Sequence, residues 1–376
     1  MRLSSVPAAA LGLCALLAPS AAAAQGTVSS QGLGYPPGQY STLSLSTGGA
    51  VAEFDPASAT NPASVANLAS SAIFLHFAPE RRRVTTEGAD EESRVQRFPL
   101  LGIIVPVGPR AAVGVTSSTL LDRTWASTTR SEVGENGRGI VEHFSSRGAI
   151  NDVRVAGGYS FSRQLQLGLG AHALVGSNQL SVSRIDQIGG DAPFEQTTEV
   201  SYSGLGASAG LHWNPSRLVS LALSGTVGAT IRARVQDSTI AEGTMPARGA
   251  VSARYSGLTG AVIAARAAWQ GWSSLDEMGG VGLDARDTWE YSLGADVEGP
   301  RIFGSPIALR AGGRWRDLPF AVAGEQPTER AVTGGLGFLF GGGRVMVDLA
   351  VERARREAAG AEENAWTFGA GVTVRP

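Results

Sequence analysis

Lysine is missing altogether: every one of the 31 basic residues is arginine. The bias touches every basic site, not only those placed to bind anions, so it reads first as codon usage. Cysteine occurs once, at Cys14, inside a stretch that reads as an export signal. The mature chain is therefore expected to have no disulfide and no thiol chemistry. Charge is scarce at 17 %, and the formal net charge is −2, which gives no reason to expect a nucleic-acid partner. No apolar run beyond the leader reaches the roughly 18–20 residues of a membrane helix. The four histidines, His76, His143, His172 and His212, are scattered without metal-ligand spacing, so no metal or other cofactor is expected. No repeat near 40–45 residues marks a propeller.

What is present is glycine, 50 residues of it, and a period of two. In Leu221–Val235 every second residue is apolar or glycine, and the residues between are small or polar, with Arg232 and Arg234 among them. The same pattern runs through 164–175, 289–298, 307–316, 345–352 and 366–375. Successive side chains of a strand point to opposite faces, so each stretch has one apolar face and one small or polar face. Fourteen such strands are read: 72–87, 94–107, 110–127, 140–161, 164–186, 195–213, 218–235, 246–255, 258–272, 286–298, 306–316, 328–340, 344–356 and 364–375. Pro99 and Pro106 make the second the least regular. Short turns at 108–110, 161–164, 214–217, 256–257 and 341–343 alternate with longer polar loops, including 236–245 and 357–363.

A soluble β-sandwich would carry more charge on its wet face. A closed barrel in lipid pairs every backbone group and leaves no edge. Aromatics near strand ends suit two membrane interfaces: Tyr159, Phe161, Trp213, Tyr255 and Phe340 by the short turns, and Trp125, Trp269, Trp289, Trp315 and Trp366 toward the long loops. The expected fold class is all-β, a transmembrane antiparallel β-barrel of about fourteen strands with an N-terminal hatch or plug. Residues 1–24 read as a signal peptide, with Arg2, an apolar core over Ala8–Ala18 and the Ala22-Ala23-Ala24 cleavage site. Residues 25–70, rich in Ser, Ala, Gly and Pro, are the expected hatch, and 71–376 the barrel.

The stretch TGGAVAEFDPASATNPASVANL (Thr47–Leu68) resembles the N-terminal segment of the FadL-type family of outer-membrane transporters, in which a Gly/Ala-rich stretch leads into an Asn-Pro-Ala motif. Here that motif is Asn61-Pro62-Ala63. Trp269–Leu275, Thr288–Gly299, Ala308–Phe320 and Gly335–Glu352 are similar in style and follow the expected order. The resemblance implies a fourteen-stranded barrel closed by a hatch, passive uptake of long-chain fatty acids or other hydrophobic molecules, and a sideways exit through the wall into the membrane. It also implies outer-membrane lipid and the barrel-assembly machinery as partners, in a Gram-negative outer membrane. Alternatives are a scaffold or secretion component of PorV type, whose partners are proteins, and a general porin. The chain ends in Arg375-Pro376 where such barrels usually end in an aromatic, and its external loops look short for a fatty-acid transporter.

Asn61, Pro62 and Ala63 pin the hatch or open a short helix as an Asx-Pro turn, and the two are compatible. Arg154, Arg232, Arg234, Arg310, Arg314 and Arg316 fall on the expected lumen face. They hold a carboxylate headgroup, or pair with inward acids such as Glu290, Asp296, Glu298 or Asp348. Pairing is favoured for any one of them, and Arg310, Arg314 and Arg316 on one strand are the best ligand candidates. Arg81-Arg82-Arg83 reads as a solvated strand end or a contact for anionic lipid. No enzyme is expected: His172 is a conceivable base, but no nucleophile stands out.

Overall fold

The computed structural model describes residues 28–376 apart from 31, 87–88, 134–137, 187–193, 280–282 and 303–304. The signal peptide expected at 1–24 lies outside the described residues. Nineteen strand segments form one sheet. They are β1 (Ala72–Phe77), β2 (Glu80–Thr86), β3 (Ala89–Val95), β4 (Leu100–Pro106), β5 (Ala111–Asp122), β6 (Trp125–Val133), β7 (Arg138–Ser160), β8 (Leu165–Asp186), β9 (Phe194–Trp213) and β10 (Val219–Gly228). Then follow β11 (Thr230–Val235), β12 (Ser238–Thr244), β13 (Arg248–Leu258), β14 (Ala261–Gln270), β15 (Thr288–Ile302), β16 (Ser305–Asp317), β17 (Thr328–Phe340), β18 (Val345–Ala358) and β19 (Ala361–Val374). Five pairs run end to end (β1 with β2, β3 with β4, β5 with β6, β10 with β11, β12 with β13), so the wall has fourteen antiparallel strands. β1 pairs with β19, Ile73 opposite Val374, and the sheet closes on itself.

Closure leaves no unpaired edge, and the side-chain period then sorts the residues. Leu169, Leu205, Val227 and Val332 point outward and are 65–72 % exposed, while Arg154, His172, Ser208 and Glu329 point inward and are buried. The outward aromatics include a stack of Trp289, Tyr291 and Trp315, with ring centres 6.1 and 5.6 Å apart. At the tight turn Gly341–Gly343 all three φ angles are positive, 60°, 69° and 92°, a run that only glycine adopts without strain.

Three differences from the sequence reading have clear causes. The expected loops at 236–245 and 357–363 are strand: β11 and β12 turn at Gln236–Asp237, and β18 and β19 at Ala359–Gly360, where Gln236, Ala359 and Gly360 take positive φ. Polar composition marked those residues as loop, whereas they extend paired strands beyond the apolar belt. The turn expected at 256–257 falls later, because β13 runs to Leu258. Arg232 and Arg234 do not face the lumen. Between β10 and β9 the register pairs Gly228 with Gly206, but between β11 and β9 it pairs Arg232 with Ser203. One extra residue, a bulge at Ala229, reverses the strand's phase. Ile231 and Ala233 turn inward and are buried, and the side chain of Arg232 is 48 % exposed, paired with Glu242 at 2.8 Å. Pro246, which has no N–H to give the ladder, lies at the same level of the neighbouring strand.

A second interruption lies between β1 and β2 and between β3 and β4, at Pro79 and Pro99. Ala78 N donates to Arg97 O at 2.9 Å and Thr119 N to Pro99 O at 2.9 Å, which bridges the gap. Phe77 and Phe98 close it outside, with ring centres 4.9 Å apart. Inside, Arg97 reaches Glu80 at 2.8 Å and also pairs with Asp122.

Candidate functional site: the filled lumen

The chain ahead of β1 packs against inward-facing residues around the ring. Its middle is a short helix, α1 (Thr42–Ser46), with Ser41 as N-cap. The Asp55 carboxylate accepts from the hydroxyls of Ser44 and Ser58 at 2.8 and 2.7 Å and from Ala57 N at 3.0 Å, which folds the segment on itself. Farther on, Asn61 caps the 3-10 turn Pro62–Asn67. Its Oδ1 accepts from Ala63 N at 2.9 Å, and its Nδ2 donates to Leu211 O on β9 at 3.3 Å.

Where this segment meets the wall, the wall is glycine. A Cβ on Gly168 would lie 2.3 Å from Ala63 N and Pro62 C, one on Gly210 1.9 Å from Asn61 Oδ1, and one on Gly158 2.8 Å from Ala66 N. Opposite them, Gly294 and Gly312 would meet Thr47 O at 2.4 and 2.3 Å. These are two seats shaped for backbone, which explains why the inner face of the strands is small as well as polar.

Between the seats the contacts are charged. Glu53 accepts from Ser224 Oγ at 2.7 Å, Arg266 Nε at 3.1 Å and Arg248 Nη2 at 3.2 Å. Burial works to raise the Glu53 carboxyl, and the guanidiniums of Arg248 and Arg266 outweigh it, holding the group below the usual carboxylate range. Tyr40 donates to Glu290 and accepts from Arg266 Nη1 at 3.0 Å. Tyr35 donates to Glu329 Oε2 at 2.7 Å and accepts from Arg356 Nη2 at 2.7 Å, with the guanidiniums of Arg97, Arg316 and Arg356 4.9, 5.0 and 4.2 Å from its ring centre. Burial pushes the Tyr35 phenol up, against the lowering pull of Arg316 and Arg356, so it stays protonated and donates.

Among the inward arginines, Arg310 bonds Asp296 at 2.9 Å and Asp348 at 2.6 Å. Arg314 bonds Glu329 at 3.1 Å and Glu352 at 3.0 Å, and Arg316 bonds Glu329 at 2.7 Å and Pro36 O at 3.0 Å. These three sit in ladders across β15, β16, β17 and β18. Of the sequence-named acids, Glu298 is exposed. Within 81–83 the residues alternate: Arg82 turns inward to Glu80, and Arg81 and Arg83 face out. Arg154 differs. It is fully buried, and Nε, Nη1 and Nη2 have no hydrogen-bond partner among the described residues. A buried charge without a partner destabilises a fold. Arg154→Met is therefore expected to raise the urea midpoint of the micelle-embedded protein, a gain of about 1–3 kcal/mol. A structural arginine would give the opposite sign.

A cleft lies inside, lined by Gln39, Tyr40, Asp152, Thr226, Arg248 and Glu290 among others. It offers about 40 Å³ to the centre of a water-sized molecule, room for a few waters and not for an acyl chain. Beside it is an apolar cluster that includes Leu33, Leu121, Ile150, Leu174, Trp272, Leu275, Met278 and Phe320. Trp272, Leu275 and Met278 come from the 3-10 segment Trp272–Gly279 that follows β14 and turns into the barrel.

Sequence reasoning missed Tyr35, Tyr40 and Glu53 as anchors, and missed the partners of His172. A signal for the anchors was available. Between 25 and 70 there is no basic residue, and Glu53 and Asp55 are the only acids. A buried carboxylate in a segment without basic residues needs a cation from elsewhere. His172 on β8 donates from Nδ1 to both carboxylate oxygens of Asp152 on β7 at 2.9 Å. Its Nε2 lies within hydrogen-bond distance of Ser208 Oγ on β9, at 2.8 Å. No His/Cys/Asp/Glu group among the described residues is arranged to hold a metal.

The family model described as BamG matches residues 9–251, more than half of the chain. No curated protein matches the chain by sequence. Among solved structures, a FadL homologue of Pseudomonas aeruginosa is similar over 92 % of this chain and 99 % of its own, with a TM-score of 0.65 and 14 % identity. The toluene transporter TodX of Pseudomonas putida is similar over 90 % of this chain and 98 % of its own, with a TM-score of 0.61 and 16 % identity. The monoaromatic hydrocarbon channel CymD is similar over 89 % and 97 %, with a TM-score of 0.57 and 14 % identity. At such identities the likeness is one of fold: a closed fourteen-stranded barrel of FadL type. By their descriptions, TodX and CymD are a transporter and a channel.

Proposed function

The chain belongs to the BamG family, and from that premise and the barrel's geometry we propose an outer-membrane channel of a Gram-negative bacterium for passive uptake of hydrophobic molecules. Residues 28–70 act as its hatch. The observation that carries the reading is the pairing of a lipid-facing barrel with a buried apolar cluster inside it, on the inner side of Trp272, Leu275 and Met278. An acyl chain or aromatic hydrocarbon displaces those side chains and recovers roughly 0.8 kcal/mol per buried CH₂. A sideways exit fits the interruption at Pro79 and Pro99, where a greasy solute moves into lipid without entering water. Arg154, whose guanidinium has no hydrogen-bond partner among the described residues, is the one suited to a carboxylate headgroup. The ladder arginines are occupied.

The test is uptake by cells lacking the gene, complemented with wild type or Arg154→Met, using labelled oleate and toluene. Loss of uptake on deletion supports the channel. Selective loss of oleate uptake in Arg154→Met supports the headgroup site. Unchanged uptake of both solutes on deletion overturns the reading.

The family name and the closed lumen favour a second reading, a scaffold that associates with the barrel-assembly machinery. Reproducible co-purification of that machinery in mild detergent, together with unchanged uptake, selects it. A general porin is disfavoured by a lumen filled with ion pairs and the N-terminal segment.

A further inference from the structure

We propose that Asp152, His172 and Ser208 form a nucleophilic relay, and that Ser208 cleaves carboxylic esters admitted to the barrel lumen. The three residues lie on three consecutive strands, all on the inner face. Across β7 and β8, Arg154 stands opposite His172 and Asp152 opposite Leu174. Across β8 and β9, His172 stands opposite Gly206 and Gly170 opposite Ser208. His172 is thus the diagonal neighbour of both partners, the spacing at which long side chains still meet.

The two ring nitrogens have different work. Nδ1 faces a carboxylate, so it carries the proton; Nε2 then offers its lone pair to the Ser208 hydroxyl. This is the arrangement a serine nucleophile needs, a base within hydrogen-bond reach and an acid that orients the base. A hydrogen-bonded packing triad would need nothing more. Three further observations point to a reacting group. A Cβ on Gly170 would lie 2.5 Å from Ser208 Oγ and 3.5 Å from Arg154 Cδ, so glycine at this position makes room for the hydroxyl beside the arginine. Arg154 is buried with its three guanidinium nitrogens lacking a hydrogen-bond partner among the described residues, a cation with donors to spare beside the relay. Asp152 and Thr226 line the lumen cleft, and Thr226 is the ladder partner of Ser208 on β10. The cleft therefore reaches Asp152 at one end of the relay and the ladder neighbour of Ser208 at the other. Gln39 Nε2 donates to Asp152 Oδ2 at 2.9 Å and fixes the carboxylate from the N-terminal segment.

The chemistry balances without a cofactor. Ser208 Oγ bonds to the ester carbonyl carbon as its proton moves to His172 Nε2. The carbon–oxygen bond to the alcohol breaks, and the alcohol leaves with that proton. Water, deprotonated by His172, then cleaves the acyl-serine and releases a carboxylate. Arg154 stabilises negative charge at the carbonyl oxygen and then on the released acid. The substrates that fit are acyl esters without a cationic group near the carbonyl. The relay does not rest on the channel reading, since a scaffold with this lumen would carry it equally.

The test uses the full-length protein in detergent, with folding checked by heat-modifiable gel migration. It is treated with diisopropyl fluorophosphate and, separately, with p-nitrophenyl acetate. Expected are a single phosphoryl adduct on Ser208 by peptide mass spectrometry, none in Ser208→Ala, and a slowing of about 100-fold or more in His172→Gln. Ester hydrolysis should also slow in Asp152→Asn, which no longer holds the imidazole in the required tautomer. If the wild-type lumen admits no reagent, Gln39→Ala opens the cleft beside Asp152. Folded wild type and Gln39→Ala that both stay unlabelled at Ser208 overturn the proposal, and so does ester hydrolysis that persists undiminished in Ser208→Ala.

Discussion

Replacing Arg356 by alanine is expected to lower the barrel's unfolding free energy by about 3–5 kcal/mol. Arg356 is wholly buried on β18. Its guanidinium bonds Glu329 at 2.7 Å, Glu80 at 3.1 Å, Glu363 at shorter range and the Tyr35 hydroxyl at 2.7 Å. It thereby joins β17, β19, β2 and the N-terminal segment through one cation. The large effect comes less from the attraction lost than from what stays behind, three buried carboxylates short of a counter-charge. Arg97 and Arg316 remain nearby and cover Glu80 and Glu329 in part, whereas among the described residues Arg82, at 3.9 Å, is the one cation left to Glu363. Ser29, which bonds Glu363 through its hydroxyl at 2.7 Å, should loosen as well. The measurement is a urea midpoint in micelles. Arg83→Ala is the control, because its pair with Glu92 is more than half exposed and such pairs contribute about 0–1 kcal/mol. Equal effects of the two substitutions would contradict the buried-network account.

The second large effect is expected from one atom group on the inner wall. Gly168→Val should displace the 3-10 turn Pro62–Asn67 and convert a silent barrel into one that conducts small ions in planar bilayers. The added Cβ would meet Ala63 N and Pro62 C at 2.3 Å, and backbone cannot rotate aside as a side chain can. Overpacking of this kind costs roughly 1–3 kcal/mol. β8 is paired along nearly its whole length with β7 and β9, so the wall holds and the turn yields. Gly157→Val is the control: its Cβ would meet only Val113 Cγ1 at 3.8 Å. A folded Gly168→Val protein with wild-type conductance would show that the turn is not what closes the lumen.

The barrel was legible because the period of two is written along each strand separately. The outward phase of Leu165, Leu167 and Leu169 needs no knowledge of any neighbour. The same local reading failed at Ala229. A bulge changes phase by one residue, and Ile231 and Ala233 are as apolar as an outward face requires. Register is the deeper gap. That Arg310, Arg314 and Arg316 face inward follows from alternation, but that Glu329 and Glu352 stand ready to meet Arg314 depends on how β16, β17 and β18 slide against each other. The histidine shows the same limit. Asp152, His172 and Ser208 share an inward phase, yet only the pairing of β7, β8 and β9 brings them together. The glycine seats were visible as composition and not as function, since a small residue reads the same whether it faces lipid, water or another stretch of backbone.

The wedge of chain inside the cylinder is tethered to β1, and β1 is also one lip of the final seam, where Ile73–Phe77 zip against Val374–Ala370. Its contacts reach the opposite wall at Ser224, Arg248 and Leu211. The wedge and the seam thus share one strand, so a substitution that unseats the wedge should also loosen the pairing of Ile73–Phe77 with Val374–Ala370.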